Sequence, residues 1–88
     1  MATGQVQDIC GTMKKSIVSM KKEIKGKEDT IQRQQERLRK LTAQPNPDSV
    51  MVQEIRDDIA RMKRELVNER GELNAVEEEF SAACGGST

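Results

Sequence analysis

The stretch that decides the fold is Gln44-Pro45-Asn46-Pro47-Asp48-Ser49, near the middle of the 88-residue chain. Two prolines one residue apart cannot lie inside a helix, because each lacks an amide donor and clashes with the preceding turn. The same stretch contains the signals of a helix start. Asn46 suits the N-cap, Pro47 suits the first helical position, and Asp48 places a negative charge at the positive end of the helix dipole.

These signals predict a single small domain, residues 1–88, made of two helices. Helix 1 is expected over about residues 5–43, the proline-rich turn over 44–49 and helix 2 over about 47–83. The last four residues begin with two glycines, which signal the end of a helix. A flexible tail is therefore expected over 85–88.

Both predicted helices carry a heptad repeat, in which apolar residues recur at alternating steps of three and four. We call these positions the seam: Val6, Cys10, Met13, Ile17, Met20, Ile24, Lys27, Ile31, Gln34, Leu38 and Leu41 in helix 1, and Val52, Ile55, Ile59, Met62, Leu66, Glu69, Leu73, Val76, Phe80 and Ala83 in helix 2. All but Lys27, Gln34 and Glu69 are apolar, counting Cys10. A stripe this narrow indicates a coiled-coil interface rather than a globular core.

Two observations favour an all-α, antiparallel hairpin. Seam residues of the two helices face each other when their numbers add to 93, and half of 93 falls between Asn46 and Pro47, the centre of the turn. Up to Gln44 the chain has a net charge of +5, and from Asp48 onward it has −5, so pairing of like helices is disfavoured. Exchange of helices between two chains, and association as a dimer or four-helix bundle, stay open.

The same register predicts which charges flank the seam. Opposite charges are expected to meet at Lys14 and Glu77, Glu28 and Lys63, and Arg37 and Asp58. Like charges are expected near each other at Lys21 and Arg70, and at Glu23 and Glu72. Exposed pairs contribute well under about 1 kcal/mol each, so the net charge asymmetry is the stronger argument.

Lys27 and Glu69 occupy adjacent layers of the seam and could reach each other across it. One interpretation is that both long side chains extend outward into solvent and contribute little. The other is an ion pair that sets the register rather than adding stability. One lysine and one glutamate without a pocket do not make a catalytic mechanism.

The composition indicates no enzyme. Hydrophobic and charged residues each make up 34% of the chain, Phe80 is its one aromatic residue, and it contains no histidine. Two distant cysteines are too few for a zinc site, so neither a metal nor a cofactor is expected. No stretch is long and apolar enough to predict a membrane span, and no signal peptide is visible. The compartment is therefore not indicated, and the cytoplasm is only the default expectation.

The function predicted from this pattern is a structural coiled-coil module for protein–protein interaction. Its partner would be a second copy, giving a homo-oligomer, or another helical protein. The alternative is a basic helical arm that binds nucleic acid or another polyanion, because helix 1 is rich in lysine and arginine. The balanced total charge, the pI of about 6.3 and the lack of an aromatic in helix 1 disfavour nucleic acid.

Cys10 and Cys84 are 74 positions apart, yet their numbers add to 94, one more than the register sum. The hairpin would therefore bring them to the same open end, within the roughly 7 Å that a disulfide allows between Cα atoms. Two reduced thiols and cross-links between chains are the alternatives.

Overall fold

The computed structural model describes the backbone of residues 2–85 and the side chains of residues 9–85. Within that range the chain forms two helices, α1 (Ala2–Thr42) and α2 (Ser49–Cys84), and no strand. The helices pack against each other in opposite directions and give a rod of 68 × 19 × 15 Å. The predicted all-α helical hairpin is therefore confirmed.

Helix α1 ends at Thr42, one residue before the predicted end, and it begins at Ala2 rather than near residue 5. The amide of Ala43 still donates to the carbonyl of Arg39 at 3.2 Å, and that of Gln44 donates to Leu41 at 3.3 Å. Pro45 has no amide hydrogen with which to continue this pattern, so the helix stops there.

The predicted start of α2 is wrong by two residues. Its N-cap is Asp48, not Asn46, and Pro47 lies outside the helix. The Asp48 carboxylate accepts hydrogen bonds from the amides of Val50 at 3.0 Å and Met51 at 3.1 Å. A charged carboxylate is a stronger acceptor than the side-chain amide of asparagine, and here it satisfies two donors that the first turn leaves without helical partners.

Helix α2 ends at Cys84 because Gly85 adopts φ 84°, the left-handed conformation of a helix C-cap. A residue with a Cβ atom would be strained at this angle, so glycine ends the helix here without backbone strain. Residues 86–88 of the predicted tail lie outside the described residues, as does the side chain of the predicted seam residue Val6.

The core lies along the seam and is best formed in the half of the rod nearer the turn. The buried side chains all belong to the seam: Ile17, Ile24, Ile31, Val52, Ile55, Ile59 and Leu66. Toward the open end the seam residues Met13, Val76 and Phe80 are only half-buried. Burial of apolar surface therefore holds the turn end more firmly than the open end.

One predicted seam residue is misplaced. Ala83 is exposed, whereas Cys84, the next residue, is half-buried and faces α1. The disulfide bond to Cys10 holds Cys84 on that side.

Candidate interaction face

A polar layer interrupts the seam at Lys27. Its ammonium nitrogen contacts a carboxylate oxygen of Glu69, its predicted neighbour, and lies 3.2 Å from a carboxylate oxygen of Glu65. The side chains of Lys27 and Glu69 are 25% and 26% exposed. The structure thus brings Lys27 and Glu69 together, and it adds Glu65, which lies one turn before Glu69 and was not predicted. Gln34 is half-buried in the seam nearer the turn.

The hydrogen bond to Glu69 is the main reason that the pKa of Lys27 is raised above its ordinary value. Lys27 therefore stays charged at neutral pH and neutralises two carboxylates. This cluster can align the helices, because a shift of one heptad would separate the three groups. It offers no nucleophile paired with a base.

The flanking ion pairs differ from those predicted. Lys21 pairs with Glu77 at 3.5 Å, so Glu77 is not the partner of Lys14. Glu28 pairs with Arg70 at 2.6 Å rather than with Lys63. The expected repulsion between Lys21 and Arg70 is therefore replaced by two attractive pairs.

The direction of the side chains explains this difference. Helical side chains lean toward the N-terminus of their own helix. In an antiparallel pair, Glu28 leans toward the open end and Arg70 leans toward the turn, so residues whose numbers add to 98 approach each other. Residues whose numbers add to 91, such as Glu28 and Lys63, lean apart.

The pair predicted between Arg37 and Asp58 is replaced by one within α2. Asp58 lies 3.4 Å from Arg61, one helical turn further along the same helix. Both side chains are more than half exposed, and an exposed pair of this kind adds little to stability.

Apart from the contacts of Lys27, two ion pairs link the helices, Lys21 with Glu77 and Glu28 with Arg70, and both lie on one broad side of the rod. We call this side the valine face. It comprises the residues one and four positions after each first position of the heptads, and those first positions are Cys10, Ile17, Ile24, Ile31, Leu38, Val52, Ile59, Leu66, Leu73 and Phe80. Val18 and Val67 lie on it and are 59% and 68% exposed. Two exposed aliphatic side chains on one side of a charged rod make this side the candidate site.

A shallow groove beside each valine reaches down to the seam. Near the open end, Val18 borders a groove that Ile17 and Phe80 also line, with Lys21 and Glu77 at its edge. Apolar side chains from both helices therefore meet at the surface beside an interhelical ion pair.

The second groove lies nearer the turn. Val67 borders it together with Leu66 and Ile31, and Glu28 and Arg70 form its edge. Its composition matches that of the first groove, with the roles of the two helices exchanged.

The valine face is strongly basic. Its charged residues are Lys14, Lys21, Lys25, Arg39, Arg56, Lys63 and Arg70 against Glu28 and Glu77. The opposite side contains a row of acidic residues on α2, Glu54, Asp58, Glu65, Glu72 and Glu79, with Arg61 as the one basic residue among the corresponding α2 positions. The corresponding α1 positions hold Glu23 against Arg33, Arg37 and Lys40. The opposite side therefore has six acidic and four basic residues, a net charge of −2, against a net charge of +5 on the valine face.

The open end of the hairpin is closed by a disulfide between Cys10 and Cys84, whose Cα atoms lie 6.0 Å apart. Of the alternatives for the two cysteines, the structure contains the intramolecular one. The bond joins the ends of the two helices where the seam is least buried.

Sequence reasoning missed the valine face, although a signal for it exists. Residues 14–21, KKSIVSMK, and residues 63–70, KRELVNER, have basic residues at both ends and an Ile-Val or Leu-Val pair between them. Both segments have the same heptad phase. A comparison of segments in equal phase would have found the repeat.

Among the described residues, no group of three or more histidine, cysteine, aspartate or glutamate side chains is arranged to hold a metal ion. The described helices also include none that is long and apolar enough to cross a bilayer.

No protein-family model, curated protein or solved structure matches the chain.

Proposed function

We propose that this chain is an antiparallel coiled-coil hairpin that acts as a structural, protein-binding module, through self-assembly or partner binding, without catalysis. The observation that carries the proposal is the valine face. Val18 and Val67 are more than half exposed, and each borders a groove that reaches apolar seam residues. Exposed apolar side chains with a charged rim are typical of protein-binding surfaces.

The coiled-coil part of the proposal is supported by the heptad repeat and by the burial of seam residues. The buried side chains of both helices all belong to that repeat. A rod of two long helices with so small a core exposes most of its surface. Such a surface suits the binding of other proteins better than the enclosure of a substrate.

We propose no catalytic step, because the polar side chains of the seam bind one another. Lys27, Glu65 and Glu69 bind one another in an open groove. A catalytic lysine or carboxylate would need a substrate position within hydrogen-bonding distance and shelter from water.

A second candidate function, binding of nucleic acid or another polyanion, is favoured by the basic charge of the valine face. Two observations weaken it. Lys21 and Arg70 already pair with Glu77 and Glu28, and these carboxylates would repel phosphates. The valines between them have no aromatic ring for stacking on a base.

Sedimentation velocity from about 1 to 500 μM tests self-assembly, and titration with single-stranded RNA at several salt concentrations tests the second candidate. If the chain self-assembles, we expect its association to weaken in a Val18→Ser, Val67→Ser variant. If it binds another protein instead, we expect a monomer that binds no RNA. Val50→Ser is the matched control, because Val50 is 66% exposed but lies off the valine face. RNA binding that falls steeply with salt would replace the proposal by the polyanion function.

A further inference from the structure

The two grooves of the valine face contain equivalent residues in an equivalent arrangement. Lys14, Ile17, Val18 and Lys21 on α1 correspond to Lys63, Leu66, Val67 and Arg70 on α2. On the opposite helix of each groove, Glu77 corresponds to Glu28 and Phe80 to Ile31. Each groove therefore has an exposed valine, an apolar floor and a basic residue one turn to either side of that floor.

The antiparallel packing relates the two grooves by an approximate two-fold axis perpendicular to the valine face. In the register whose sum is 93, which the Cys10–Cys84 contact supports, Val67 lies at the level of about residue 26 of α1. Val18 is eight residues from that level, or roughly 12 Å along the rod at 1.5 Å per residue. This distance equals about one heptad of a helix laid along the rod.

We propose that the valine face binds one acidic amphipathic helix of another protein, which lies along the hairpin across both grooves. Apolar side chains about one heptad apart on that helix would cover Val18 and Val67. Its flanking glutamates and aspartates would face Lys14, Lys25 and Lys63. This inference rests on the proposed protein-binding function and names the partner.

The charge of the face determines the chemistry of the partner. Seven basic residues against two acidic ones attract an acidic helix and repel a basic one. The exposed valines favour a protein over a nucleic acid, because aliphatic side chains gain from burial against other apolar groups. The two grooves follow one another along the rod, which favours an extended helix over an irregular segment.

A second copy of this chain fits the face poorly. Two valine faces would place basic residues against basic residues. The acidic side of a second copy has complementary charge, but its exposed large apolar residues are Ile9, near the open end, and Met51, near the turn. They are separated by most of the rod, roughly 50 Å, and cannot meet two valines that lie roughly 12 Å apart along it.

A fluorescence anisotropy titration of the oxidised hairpin tests the inference. The probe is a helical peptide of three heptads with leucine on one stripe and glutamate beside it, and its control has lysine in place of glutamate. We expect the acidic peptide to bind one to one, more weakly as salt rises, and the lysine peptide not to bind. Val18→Ser and Val67→Ser should each weaken binding by about tenfold, and Val50→Ser by less than about twofold.

The charge contribution is tested by Lys14→Glu combined with Lys63→Glu, which should abolish the salt dependence and most of the binding. Circular dichroism of each variant checks that helicity is unchanged. Loss of binding with only one of the two valine variants, or a stoichiometry of two peptides per hairpin, would contradict a single helix spanning both grooves.

Three further outcomes separate this inference from the proposed function. Absence of binding to the acidic peptide up to about 100 μM overturns the acidic-helix inference and leaves a protein-binding role intact. Self-association that both valine variants abolish identifies a second copy as the occupant, and it overturns this inference alone. Binding of single-stranded RNA that ignores the valine variants but disappears with the lysine variants overturns both.

Discussion

Removal of the Cys10–Cys84 disulfide should destabilise the hairpin more than any other single covalent change. The bond closes a loop between residues separated by 74 positions. In the chain-entropy model, a loop of that length corresponds to about 4.5 kcal/mol of stabilisation at 25 °C. For a chain of this size, a change of that magnitude lowers the melting temperature by roughly 20–30 °C.

The loss should begin at the open end. There the seam residues Met13, Val76 and Phe80 are only half-buried, whereas Ile55 and Leu66 near the turn are buried. Without the bond, apolar burial alone holds the open end, so its amides should exchange with solvent much faster than those near the turn.

Thermal melting followed by circular dichroism, with and without dithiothreitol, measures the total effect, and hydrogen exchange by mass spectrometry locates it. A Cys10→Ser, Cys84→Ser variant should match the reduced protein and show no response to dithiothreitol. If reduced and oxidised proteins melt within about 3 °C of each other, loop closure contributes far less than about 4.5 kcal/mol to the stability of the hairpin.

Four further predictions follow from the turn, the polar layer and the N-cap. Replacement of residues 45–47 by alanine should let the two helices run together and raise the mass in sedimentation; an unchanged mass and melting temperature would mean that the turn does not set the topology. Lys27→Leu with Glu69→Leu should raise the melting temperature, because apolar residues replace a polar layer of the seam, and a lower value with equal helicity would refute this. Because the pKa of Lys27 is raised on folding, its contribution is present below its ordinary value and lost as pH rises through the folded value, so alkaline melts should fall more for the wild type than for this variant. Asp48→Ala should lower stability by about 1 kcal/mol and Asn46→Ala should leave it unchanged; chemical denaturation checks both, and equal losses would contradict the assignment of the cap.

The turn and the start of α2 show what local sequence rules can and cannot predict. The prolines located the turn correctly, because a missing amide donor breaks a helix in any surroundings. Asn46 and Asp48 are both acceptable N-caps by residue type, so sequence alone could not choose between them. The choice followed from the geometry of the turn, which places the Asp48 carboxylate within 3.1 Å of two amides.

The sequence by itself determined the two helices, the apolar seam and the antiparallel pairing, because heptad spacing, proline chemistry and the sign of the charge are properties of the chain in any environment. Only the tertiary structure decided that Glu28 pairs with Arg70, that Ala83 is exposed, and that the grooves beside Val18 and Val67 reach down to the seam. Each of these depends on the lean and rotation of side chains about two packed helices. A shift of a few ångströms in that packing changes which side chains meet while leaving the heptad pattern the same.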